Sequence, residues 1–170
     1  MISRRLLRIK ALLTLYAFNR REDDNLSFAE KELMLSIEKT YDLYHYILLL
    51  ILEIADIAAE KIDLALQKRM PTPEDLNPKR RFVDNLVIAQ IRKNEAFNKY
   101  INSRKLSWVN NLHIPRILYN KMLAWSKYND YMSSPDHSYA VDRKFILSLV
   151  NDFFPGSEDL GNNLEEQSIY

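Results

Sequence analysis

Residues 1–155 contain no glycine; the chain's two glycines, Gly156 and Gly161, both lie near its C-terminus. Glycine supplies the positive φ angles that tight turns need. Without it over so long a stretch, a hairpin-rich β architecture has no turns to use, and a glycine-rich phosphate loop has no backbone to form it. The alternative is helix. The 170 residues are 47% apolar, enough to fill the core of one domain. There is no cysteine, which removes a disulfide framework, a thiolate zinc site and a cysteine nucleophile.

Helical periodicity runs along most of the chain. Ser3 is placed to cap a first helix to about Asn19, whose positions Leu6, Ile9, Leu13, Tyr16 and Ala17 keep the 3,4 spacing of a buried face. RREDDN breaks it. Ser27 and Glu30 have the spacing of a capping box, opening a helix from Phe28 to about Gln67. Its apolar series is Leu33, Ile37, Tyr41, Tyr44, Leu48, Ile51, Ala55, Ala58, Ile62 and Leu66. At 1.5 Å per residue this element is roughly 60 Å long, and a break near Asp56 is one way to shorten it. PTPEDLNP (71–78) reads as a loop, because proline removes a donor and restricts its neighbour. A third helix is predicted over Val83 to Lys105. A fourth starts at Ile114-Pro115 with Ile117, Leu118, Met122, Trp125 and Tyr128 on its apolar side, and stops at Ser133-Ser134-Pro135. A fifth spans Ser138 to Phe153, with Val141, Phe145, Leu149 and Val150 on one stripe, and a short helix follows Ser157. The predicted fold is an all-α helical bundle built on a long second helix. The apolar run from Ile47 to Leu52 ends at Glu53, far short of the roughly 20 residues a bilayer span needs. The N-terminus lacks a small-residue cleavage site, so it does not read as a secretory signal, although it is basic and amphipathic enough to mimic a transit peptide.

Chemistry-bearing clusters are sparse. Asp42-x-x-His45 has the spacing of a carboxylate-histidine element of di-iron bundles, but such a site needs a second copy and none is present; a histidine packed beside tyrosines is the plainer reading. His113 lies near Pro115, in a loop on this reading. Glu53, Asp56, Glu60 and Asp63 read as a solvated helix face. No nucleophile elbow, Walker loop, dinucleotide fingerprint or HExxH occurs. The sequence therefore predicts a binding protein rather than an enzyme, with no cofactor and no metal.

The formal net charge is +1, but the charge comes in blocks. Residues 1–21 hold Arg4, Arg5, Arg8, Lys10, Arg20 and Arg21 and no acid; residues 22–78 hold 13 acids against 5 bases; residues 79–105 hold 8 bases against 2 acids. Arg4, Arg5 and Arg8 fall in the first two turns of the first helix. Cations there oppose the helix dipole at about 0.3–1 kcal/mol each, whereas an anion would be welcomed. The three cover an arc of about 100°, and arginine both forks onto phosphate and stacks on bases. A second basic cluster, Lys79, Arg80 and Arg81, sits in a predicted loop with Arg92, Lys93 and Lys99 further on; its readings are contact with RNA phosphates, contact with another transcription factor, or charge that simply solubilises the loop.

The segment SRRLLRIKALLTLYAF (3–18) resembles the opening of the NusB family of bacterial transcription antitermination factors, through Arg4, Arg5, Arg8, Ala11, Leu15 and Tyr16. AEKELMLSIEKTYDLYHYILLL (29–50), PEDLNPKRRFVDN (73–85) and LEEQSIY (164–170) resemble a longer subtype of that family, so the likeness covers most of the chain. That subtype continues further. The family's Asn-Glu-containing helix and its Phe-Val-Asn-Gly-Val-Leu-Asp-like segment are not found, so the chain is expected to be an N-terminal portion. The resemblance implies a cytoplasmic protein that pairs with NusE, a small-subunit ribosomal protein. It further implies binding to the single-stranded boxA element of nascent RNA and entry into an antitermination complex on RNA polymerase, notably on ribosomal RNA operons. It assigns RNA contact to Arg4, Arg5 and Arg8. Lys10 and Tyr16 follow more loosely, since Lys10 lies off the arginine arc and Tyr16 is at a position that usually packs in a core. Much of the NusE surface is expected to lie beyond the residues present. The competing reading is a helical protein-interaction scaffold with no nucleic-acid role; a carboxylate-metal bundle is a third.

Overall fold

A computed structural model describes residues 3–21 and 25–167. They are helical almost throughout, with no strand among the described residues: α1 (Arg4–Arg20), α2 (Leu26–Leu66), α3 (Pro73–Leu76), α4 (Leu86–Arg92), α5 (Glu95–Arg104), α6 (His113–Leu123), α7 (Ser126–Ser133), α8 (Tyr139–Ser148) and α9 (Glu158–Gln167). A 3₁₀ turn covers Val109–Asn111 and a π-turn covers Leu149–Phe153. The all-α bundle and the long second helix of the sequence reading are both present. Among the described residues no helix is long and apolar enough to cross a membrane. The chain separates into two compact units, one ending at His45 and the other running from Tyr46 to Gln167.

Side-chain capping sets most boundaries. Ser3 accepts from the Leu6 N–H at 3.2 Å, as its position predicts. The second helix begins earlier than expected because Asn25, not Ser27, supplies the cap, accepting from the Phe28 N–H at 3.1 Å. Residues 22–24 of the RREDDN break lie outside the described residues, as do the last three of LEEQSIY. No break occurs at Asp56. The PTPEDLNP segment is not plain loop: Thr72 and Asp75 form a reciprocal capping box around the single turn of α3, whose first residue is Pro73.

Two predicted helices are each divided in two. Val83–Lys105 becomes α4 and α5 because Asn85 caps one start, accepting from Val87 and Ile88 N–H, and Asn94 caps the next, accepting from Phe97 N–H at 3.0 Å. Asparagine competes for local backbone donors in this way and so ends helices from within. The fourth helix divides into α6 and α7 across Ala124 and Trp125. The fifth starts where expected, with Ser138 as its cap accepting from the Val141 N–H, but its last turn widens, with Phe154 N–H reaching Leu149 O at 2.9 Å.

The core belongs to the second unit. Leu50, Ile51, Ile54 and Ala55 of α2 are sealed among Phe82, Ile88, Trp108, Leu118, Met122 and Leu149. At roughly 1.5–3 kcal/mol for each large side chain removed from water, this cluster holds the unit together. The first unit has far less. α1 contains no buried residue, and Ile9, Leu13 and Tyr16, predicted to face a core, are exposed. The residues of α1 that are partly covered are Leu6, Lys10, Ala11, Thr14, Ala17 and Phe18, which share one arc of about 140°. The apolar spacing of α1 extends around more of the helix than its neighbour can cover. Tyr41, Tyr44 and Leu66 of the α2 series are likewise exposed.

Candidate nucleic-acid interface

The start of α1 carries no acid in its first turn, and Arg4, Arg5 and Arg8 are all exposed. None of the three forms an ion pair or side-chain hydrogen bond among the described residues. On the helical projection Arg5 lies opposite the partly covered arc, Arg4 borders that arc beside Ala11, and Arg8 lies between the two. The guanidinium groups therefore meet water, beside backbone N–H groups at the helix start that have no intrahelical acceptor.

Lys10 is placed differently. Its Nζ donates to Ser36 Oγ at 2.6 Å, tying α1 to α2, and burial lowers its pKa from the ordinary lysine value. It shares the covered arc with Leu6 and Ala17 rather than the arginine face. Tyr16, in contrast, leaves 59% of its surface exposed, with the Arg20 guanidinium 5.2 Å from its ring centroid. That pairing of a cation and an open ring was legible as i,i+4 spacing. Arg21 closes the far end of the hairpin through Glu32 at 2.8 Å.

The second basic cluster is brought together only in part. Lys79 and Arg80 are exposed, and Arg80 lies 3.4 Å from Asp84. Arg81 is buried: its two terminal nitrogens donate to the carbonyls of Ser134 and Asp136, and its guanidinium sits 4.4 Å from the Tyr131 ring centroid. It acts as a clamp between α7 and the chain that follows. With Lys79, Arg80, Asp84, His137 and Asp142 it lines a shallow cavity of about 330 Å³, where the two carboxylates offset the cations. Arg92 is held by Asp56, with Nη2 to Oδ1 at 2.5 Å.

Among the described residues no group of three or more histidines and carboxylates is arranged to hold a metal. His45 is buried, its Nδ1 2.9 Å from the Tyr41 carbonyl, and its ring meets Tyr41 and Tyr44 edge-on. No known family, no curated protein and no solved structure matches the chain.

Proposed function

We propose that this chain binds single-stranded RNA through the start of α1 and acts as an antitermination factor of the NusB type. Its partners on this reading are the boxA element of nascent RNA, NusE and the antitermination complex on RNA polymerase. One observation carries the proposal: three guanidinium groups are held at the positive end of a helix with no carboxylate of the described chain beside them. A sequence shaped for stability alone would place acids there. A polyanion offsets the cost, and flexible single strands also offer bases for stacking on Arg5 or Tyr16. Lys79 and Arg80 are a secondary site on this reading, and Arg81 is not part of it. The exposed apolar side chains of the first unit favour a second reading, a protein-interaction scaffold.

The test is retention of a boxA-like single strand against a length-matched duplex and a scrambled strand, with and without NusE. Preference for the boxA strand, strengthened by NusE, is the expected result. Equal weak retention of all three would leave only nonspecific charge and favour the scaffold.

A further inference from the structure

Besides its arginines, α1 carries an apolar stripe that phosphate binding does not explain. Ile9, Leu12, Leu13 and Tyr16 stand at i, i+3, i+4 and i+7, the spacing by which a helix gathers one buried face. Here that face is open: the four side chains are 44%, 68%, 61% and 59% exposed. They fill an arc of about 100° at 100° per residue, centred about 140° from the partly covered arc that Lys10 ties to α2. The stripe therefore lies on one helix and faces outward, away from the neighbour that covers the other side.

Charge identifies the occupant. α1 contains Arg4, Arg5, Arg8, Lys10 and Arg20 and no acid. Arg5 precedes the stripe by one turn. Arg20 follows it by one turn, with its guanidinium 5.2 Å from the Tyr16 ring centroid. Arg8 lies about 40° beyond Leu12 on the projection. Cations thus frame the stripe at both ends and along one side. Pairing α1 with the α1 of a second copy would set arginine against arginine, with no acid on either helix to meet them. A phosphate strand satisfies the arginines but leaves Ile9, Leu12 and Leu13 in water. An anionic bilayer surface satisfies both sets. The apolar side chains enter the boundary between headgroups and acyl chains, and the arginine stems run along them to place their charged heads among lipid phosphates. A tyrosine suits the same level. We propose that α1 lies on an anionic lipid surface through Ile9, Leu12, Leu13 and Tyr16. The helix is not apolar enough to cross a bilayer, so it rests in the interface. Arg4 and Arg8 lie outside the stripe, and the proposal does not rest on the RNA reading.

The full chain is expected to float with phosphatidylcholine vesicles containing about 30% phosphatidylglycerol, to be released as salt rises, and to stay behind with phosphatidylcholine alone. Leu12→Gln with Leu13→Gln leaves charge unchanged and suits a helix almost equally well. The pair is expected to weaken flotation at least about thirtyfold and to leave affinity for a boxA-like strand unaltered, so the lipid and RNA readings fail separately. Circular dichroism checks that helicity is kept. Arg20→Gln is expected to weaken flotation about fivefold. Because the chain has no cysteine, an environment-sensitive dye can be placed at Tyr16→Cys or, on the exposed side of α2, at Lys31→Cys. A blue shift with anionic vesicles is expected at the first position only. Absence of flotation would overturn the proposal, as would flotation that the glutamine pair does not alter or that neutral vesicles match. A dimer in light scattering that the glutamine pair dissolves, with no flotation, would assign the stripe to a second copy and overturn it equally.

Discussion

Replacing Trp108 by alanine is expected to destabilise the second unit by about 3–5 kcal/mol, the range for deleting a large aromatic side chain from a packed core. The side chain has 0% exposure, and its ring stacks on Tyr46 of α2 at 4.0 Å with an interplanar angle of 15°. Its indole N–H donates to the Tyr46 carbonyl at 3.1 Å. One residue outside any α-helix thus fills the cavity beside α2 and ties the 3₁₀ turn to that helix. Trp108→Phe separates the two contributions. It keeps most of the stacking but loses the hydrogen bond, and is expected to cost about 1 kcal/mol for the bond plus a smaller packing term. Urea unfolding reads both changes as shifts of midpoint at constant slope. A loss below about 1 kcal/mol for the alanine variant would mean that the indole is not packed as described.

Asp142→Ala is expected to cost about 3 kcal/mol by removing a buried charged acceptor that two donors share. Asp142 is 4% exposed; its Oδ1 accepts from the Tyr131 hydroxyl at 2.9 Å and its Oδ2 from the Leu86 N–H at 2.8 Å, at the start of α4. Asn85, the cap of α4, donates through Nδ2 to the same Tyr131 hydroxyl at 3.0 Å. Burial and the hydrogen bond to Asp142 push the Tyr131 phenol up to about 12. The network joins α4, α7 and α8, and Arg81 lies over the ring of Tyr131 while Phe145 stacks on it at 4.1 Å. Removing the carboxylate leaves the Leu86 N–H unmet and the Tyr131 hydroxyl with only the longer bond to the Arg81 carbonyl, at 3.3 Å, in a low-dielectric setting where such gaps are most costly. Asp142→Asn keeps one acceptor oxygen and is expected to recover about half the loss. If thermal or urea unfolding showed no change for Asp142→Ala, the network would be ornamental.

Both residues also show where sequence reading stops. Helix content, the long α2 and the Ser3 cap were legible because glycine is missing and the 3,4 spacing is strong. Trp108 was not, because it lies in a connection with no periodicity to mark its inward face. Asn85 and Asn94 divide a helix that the apolar pattern joins, since capping depends on a side chain turning back to its own backbone. Thr72 and Asp75 build a helical turn inside a proline-rich stretch by the same means. Arg81 reads as one of three solvated cations, yet the carbonyls of Ser134 and Asp136 that hold it are more than fifty residues away in the chain. Spacing alone cannot carry such a contact. The α1 stripe fails for the opposite reason: Ile9, Leu13 and Tyr16 have the spacing of a core face, but spacing does not say whether a partner element is present to cover them.

The arginine arc at the start of α1 was legible as charge against a dipole, and it holds in the structure as three exposed guanidinium groups without carboxylate partners among the described residues. Its role in RNA binding is most directly measured by the salt dependence of affinity for a boxA-like single strand, comparing the chain with its Arg4→Ala, Arg5→Ala, Arg8→Ala triple variant. Each phosphate neutralised on a single strand contributes about −0.7 to the slope of log K against log salt, so the triple variant should bind more weakly with a slope flatter by about 2, at unchanged helicity. An unchanged slope and affinity in the triple variant would contradict the account.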